Sequence, residues 1–169
     1  MTGGLTRGAE LRVAILTVST SRAGTGEHDA SGERLAQFAL EIGGEVFARE
    51  IVPDDRPQIE DRLRHFSDVD GCALVLTTGG TGVAPRDLTP EATRAVIERE
   101  VPGIAEAMRD ASRQQTRHWM LSRGLAGIRG RTLIINFPGN PRSIAETAAA
   151  IAEALPHALA LIADRPTEH

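Results

Sequence analysis

The sequence predicts an α/β fold, a mostly parallel sheet covered by helices on both faces, on three observations. Strand-length apolar runs alternate with segments of helical spacing, the runs end in polar or glycine-rich loops, and 169 residues fit one domain. A chain of this size typically buries about two-thirds of the surface its unfolded state exposes, so it needs no staple.

The elements follow in order. The β-branched apolar run 12–18 reads as a buried first strand, ended by the polar, glycine-containing residues 19–28. Asp29 or Ser31 caps a helix to about residue 41, with Leu35, Phe38, Ala39 and Ile42 at helical spacing and Gly43-Gly44 as its stop. A second strand covers 46–52. Pro53-Asp54-Asp55-Arg56-Pro57 then opens a helix through residue 66, because aspartate caps exposed amides and proline is tolerated in a first turn. Residues 72–77 form a third strand that runs directly into Gly79-Gly80-Thr81-Gly82. Thr89-Pro90-Glu91 starts a helix to about residue 100, with threonine as cap. Another helix is expected over 104–115, then a glycine-punctuated stretch 121–130 and a strand at 132–137. After the turn Pro138-Gly139-Asn140-Pro141, Ser143 and Glu146 have capping-box spacing before a helix over 144–162, which Pro156 kinks or divides. Residues 1–10 are read as a flexible N-terminal segment and 11–165 as the single domain.

Composition removes several classes of function. The single cysteine, Cys72, lies in an apolar run, so one chain builds neither a disulfide framework nor a cysteine zinc site, and a buried structural thiol is expected. All 19 basic residues are arginine, which excludes a phosphate-loop lysine, a Schiff-base lysine and a lysine general base. Any phosphate must be held by backbone amides, arginine, hydroxyls or metal. A net charge of −4, dispersed arginines and 3% aromatics speak against a nucleic-acid partner. The polar start lacks a signal-peptide core and no apolar stretch reaches the roughly 18 residues of a membrane span, so a cytoplasmic location without a membrane partner is expected. His65, His118 and His157 sit in no nucleophile motif and read as structural or solvated. The substrate should be small.

In parallel sheets, ligands bind beyond the carboxyl ends of the strands, and the polar loops of this chain converge there. Thr77-Thr78-Gly79-Gly80-Thr81-Gly82 offers unobstructed backbone amides and hydroxyls for an anion, although tight-turn glycines explain many such loops. Asp87, in Pro85-Arg86-Asp87-Leu88-Thr89-Pro90, precedes a helix whose cap Thr89 supplies, which leaves its carboxylate for other work. Asp54 is either a helix cap or a functional carboxylate, since Asp55 can cap in its place. Two carboxylates at neighbouring strand ends suit magnesium bridging nucleotide phosphates. Ser122 and Arg123 could grip a phosphate or polar ring, or lie in a solvated loop. Pro138, Gly139 and Asn140 shape a turn that is open to ligand contact.

At these residues the sequence resembles the molybdopterin-binding family of molybdenum cofactor biosynthesis, which holds the bacterial molybdopterin adenylyltransferases and the G domains of the plant cofactor enzymes and of gephyrin. The resemblance runs from about residue 12 to 161. It is most specific at Thr77-Thr78-Gly79-Gly80-Thr81-Gly82, at residues 85–93, at Leu121-Ser122-Arg123 and at residues 136–141. It implies a three-layer α/β fold, usually a homotrimer, in which ATP and Mg²⁺ react with the terminal phosphate of molybdopterin to give adenylyl-molybdopterin and pyrophosphate, in company with other cofactor-biosynthesis proteins. Asp54 and Asp87 match the family's functional aspartates. Thr81, Ser112, Ser122 and Asn136 match the pterin site, and Ser19, Asp29, Ser31 and Gly32 match the loop near the nucleotide. The sequence departs from the common Ser-Asp at the end of the first strand by having Thr20.

Overall fold

The computed structural model describes residues 11–167, so the expectation for residues 1–10 lies outside the described residues. Six strands, β1 (Leu11–Val18), β2 (Gly44–Val52), β3 (Leu74–Thr78), β4 (Arg99–Glu100), β5 (Ala126–Arg129) and β6 (Thr132–Phe137), form one sheet in the order β2-β1-β3-β6-β5-β4. The first four in that order run parallel, and β5 and β4 close the other end antiparallel. The helices are α1 (Ala30–Glu41), α2 (Arg56–Arg64), α3 (Thr89–Val96), α4 (Pro102–Ser112), α5 (Pro141–Ile151) and α6 (Leu155–Ile162).

The strand period of two sorts the apolar side chains into two cores. Val13 and Ile15, Leu74 and Leu76, and Leu133, Ile135 and Phe137 face α1, α4, α5 and α6. Ala14, Leu16 and Val18, with Val75 and Ile134, face α2 and α3. Both faces are dry, as expected of parallel strands joined by helical crossovers. Burying each of these leucine and phenylalanine side chains contributes about 1.5–3 kcal/mol. Cys72 belongs to the second core at 1% exposure, and burial pushes its thiol up to about 11.

Several element ends differ from the expectations. Asp55, not Asp54, caps α2 by accepting the Gln58 amide, and a π turn, His65–Val69, continues α2 and buries the Phe66 ring. α3 stops at Val96 because Ile97 turns extended, and the chain enters β4 where helix was expected. Thr89 does not cap α3: its hydroxyl donates to the Gly79 carbonyl (2.9 Å), and Leu88 at the cap position offers no side-chain oxygen. The Ser143 capping box does not form either. Asn140 caps α5 by accepting the Arg142 amide (2.9 Å), one turn earlier, where Pro141 fits the first helical position. Pro156 lies in the first turn of α6, and α5 and α6 are bent by 68°.

Candidate functional site

The chain moves outward from β1 to β2 and then crosses back to β3 on the far side of β1, so a crevice opens beyond the carboxyl ends of β1 and β3. Val18 leads into Ser19 and Thr20, Val52 into Pro53 and Asp54, and Thr78 into the glycine loop. Ser19, Thr20, Ser21, Asp54, Gly80, Arg86 and Asp87 line a wide cleft of about 510 Å³ there.

Two glycines are needed for the loop to pack so close. Gly79 has φ +91°, and a Cβ on it would stand 2.3 Å from the Val18 carbonyl oxygen; Gly80 has φ +66°, and its Cβ would meet the Thr89 hydroxyl at 2.4 Å. Any side chain at either position would be strained and would also collide. Of the hydroxyls expected to serve an anion, that of Thr78 donates to the Pro138 carbonyl (2.7 Å) and that of Thr77 accepts from the Asn136 amide (3.0 Å).

Asp54 and Asp87 both line the cleft, the first beside Gly80 and the second beside Gly82. Thr20 holds Oδ2 of Asp54 through its hydroxyl (2.8 Å) and its amide (3.1 Å). Oδ1 has no protein donor among the described residues and lies 3.4 Å from where a Gly80 Cβ would be. Asp87 accepts the Ala84 amide on Oδ2 (3.0 Å), while its own amide donates to the Ala84 carbonyl (3.0 Å). Each carboxylate therefore keeps one oxygen for a ligand. Among the described residues no three His, Cys, Asp or Glu side chains gather as a metal cage. Two half-free carboxylates beside a cleft fit Mg²⁺, which takes one or two carboxylates and completes its shell with phosphate and water oxygens.

Arg123 does not project a free guanidinium toward a ligand. Its Nε donates to the Gly82 carbonyl (2.7 Å), Nη2 to the Asp87 carbonyl (2.6 Å) and Nη1 to the Glu91 carboxylate, while its amide donates to the Thr81 carbonyl (2.8 Å). Most of its donors are thus taken by the loop and α3, and one N–H on Nη1 is left for the substrate expected there. Hydrogen bonding from Arg123 holds Glu91 below the usual carboxylate range, and Glu91 in turn raises the arginine.

A second cavity, of about 160 Å³, shares no lining residue with the cleft. Ser112, Ser122, Asn136 and Pro138 line it, the first three being residues that the resemblance assigns to the pterin. Asn136 is locked by donating to Thr77 and Thr93 (3.0 Å each) and accepting the Leu125 amide (3.3 Å). Thr81, which the resemblance also assigns to the pterin, is buried, lines neither cavity and accepts the Arg123 amide on its carbonyl. Met108, Arg109, His118, Trp119 and Thr147 also line the cavity and were not among the expected residues. Met108 was findable, one helical turn before Ser112 on α4; the sole tryptophan of an aromatic-poor chain was a second signal.

The remaining expected residues carry structural bonds. Asp29 caps α1 through the Gly32 amide (2.9 Å) and accepts the Thr17 hydroxyl (2.7 Å), and Gly32 leaves no room for a Cβ beside it. Ser31 donates to the Gly139 carbonyl (2.6 Å), which ties α1 to the turn after β6. Of the residues expected near a nucleotide, Ser19 lines the cleft.

A family model described as a probable molybdopterin binding domain matches residues 14–157. The chain is 42% identical over 155 residues to a molybdopterin adenylyltransferase of Helicobacter pylori (strain J99), covering 90% of this chain and 88% of that protein. It is 43% identical over 155 residues to the molybdenum cofactor synthesis protein cinnamon of Drosophila melanogaster, covering 89% of this chain and 25% of the fly protein. The chain thus spans a quarter of the fly protein's length. Among solved structures, the molybdopterin biosynthesis enzyme MoaB from Thermus thermophilus is similar with a TM-score of 0.86 and 46% identity, over 94% of this chain and 99% of that one.

Proposed function

The chain belongs to the probable molybdopterin binding domain family, and from that membership we propose that it is a molybdopterin adenylyltransferase of molybdenum cofactor biosynthesis. The observation that carries the reading is the presence of two cavities whose linings differ in chemistry. The one holds two aspartates and Arg86, and the other is walled by Met108, Trp119, Ser112 and Asn136. The first suits the triphosphate of ATP, and the second suits a flat, polar-edged pterin.

In this reading a terminal-phosphate oxygen of molybdopterin attacks the α-phosphorus of ATP. A P–O bond forms as the bond from that phosphorus to the bridging oxygen breaks, and pyrophosphate leaves with the electron pair. No covalent intermediate on the protein is needed, which agrees with a chain that has no lysine and one buried thiol. The protein's work is positioning and charge compensation. Asp54 and Asp87 would hold Mg²⁺, which when bound offsets charge on the triphosphate. Exposed Arg86 stands at the cleft for the charge that develops on the phosphates. Arg123 fixes the loop that carries Gly82 and Asp87. We further take the protein as a cytoplasmic homotrimer that works beside other cofactor-biosynthesis proteins.

Incubating the pure protein with molybdopterin, ATP and Mg²⁺ should release pyrophosphate and yield adenylyl-molybdopterin in equal amounts. Tight molybdopterin binding with no pyrophosphate release would replace the enzyme with a carrier of the same fold.

A further inference from the structure

The geometry points to Thr20 as the residue that sets the metal-facing side of Asp54, an inference that rests on the proposed adenylyl transfer. Thr20 is the second residue after β1, at the mouth of the cleft. Its hydroxyl donates to Oδ2 of Asp54 (2.8 Å) and accepts the Asp54 amide (3.0 Å), and its own amide donates to the same Oδ2 (3.1 Å). Two donors on one oxygen use the lone pairs that oxygen offers in the carboxylate plane, and the amide bond fixes the hydroxyl's orientation. The carboxylate is thereby held in one rotamer, with Oδ1 turned to Gly80 and the cleft.

The consequence is a single-oxygen ligand. A freely rotating aspartate would present either oxygen or both to a cation and lose rotamer freedom on binding. A clasped one offers Oδ1 alone, with that ordering already done. An aspartate at position 20 would place a second negative charge against Oδ2, whereas a hydroxyl donates to it. In this scheme Thr20 acts through Asp54 and is a positioning residue.

The test uses Mn²⁺ as a spin probe for the metal, with α,β-methylene-ATP, which cannot be cleaved between its α- and β-phosphates. The dissociation constant of Mn²⁺ would be measured by electron paramagnetic resonance for the wild type, Thr20→Val, Thr20→Ser and Asp54→Asn. Removing the hydroxyl while keeping the side chain's shape, in Thr20→Val, should weaken Mn²⁺ about tenfold or more, and Thr20→Ser should restore most of it. Melting temperatures of all four proteins accompany the titrations. Wild-type affinity in Thr20→Val, an equal loss in Thr20→Ser, or a loss that only tracks a fall in melting temperature would each overturn the assignment of Thr20 while leaving the adenylyltransferase reading in place. If the wild type held Mn²⁺ with the nucleotide no better than Asp54→Asn does, Asp54 would not be a metal ligand, and the metal reading would fall together with this one.

Discussion

Asp87 carries two bonds to its own turn, and this shapes the experiment that tests it. In Asp87→Asn the amide oxygen still accepts the Ala84 amide, so the turn should persist and melting should shift little, while the charge proposed to face a metal is lost. Adenylylation should fall by at least about a hundredfold, roughly 3 kcal/mol of transition-state stabilisation, with molybdopterin binding retained. Near-normal turnover would remove Asp87 from the reaction. The sequence pointed to this residue for a reason that did not hold, since it took Thr89 as the helix cap. A sequence gives the type of a side chain but not its rotamer, and the Thr89 hydroxyl turns back to Gly79. The partners of Arg123 were hidden for the same reason: its neighbours in sequence suggested a ligand-gripping or a solvated loop, and Gly82, Asp87 and Glu91 lie some 30 to 40 residues away. Its pairing makes a pH prediction. Arg123 lowers the carboxyl pKa of folded Glu91, so the pair adds stability above the unfolded carboxylate pKa and loses it as pH falls through the lowered value. Urea titrations at descending pH should show wild type and Glu91→Gln converging below about pH 4 and separating above it, modestly because the pair is partly exposed.

For whole elements, strong patterns were legible and short ones were not. β6 was expected at residues 132–137 and is found there, because a buried β-branched run between turns leaves few alternatives. β4, with two residues, and β5, with four, are too short to show a period, and they form because the sheet edge beside β6 needs partners. The start of α5 is a contest between two signals in one sequence. Asn140 followed by proline won over the Ser143–Glu146 spacing, since capping at 140 keeps Pro141 in the first turn, where its missing N–H costs nothing. Asn140→Ala should therefore lower stability by about 1 kcal/mol in urea unfolding, and Ser143→Ala by much less. The reverse ranking would return the capping box to its expected place.

The molecule as a whole was readable as an α/β domain with its chemistry on one edge of the sheet, because connectivity alone brings strand ends together. The walls of the second cavity were not, since they come from α4, α5 and the segment around Trp119, which meet only in the fold. Assembly is a question at this scale. Ala149 and Ala150 on α5 are exposed in the single chain, and the expected homotrimer should show three times the monomer mass of 18.0 kDa by light scattering. A monomer at micromolar concentration would remove it. Titration calorimetry should find ATP bound more tightly with Mg²⁺ than without, given two aspartates in the cleft proposed for the triphosphate; equal affinity would count against a metal-assisted site. The sealed Cys72 thiol, finally, makes the natural protein a blank for site-directed labelling. A thiol held at about 11 and 1% exposed should leave maleimide dyes unreacted at pH 7, so a cysteine placed at exposed Val83 would be the one handle a fluorophore finds. That position is four residues from Asp87, and a dye there would report nucleotide arrival without a background signal to subtract.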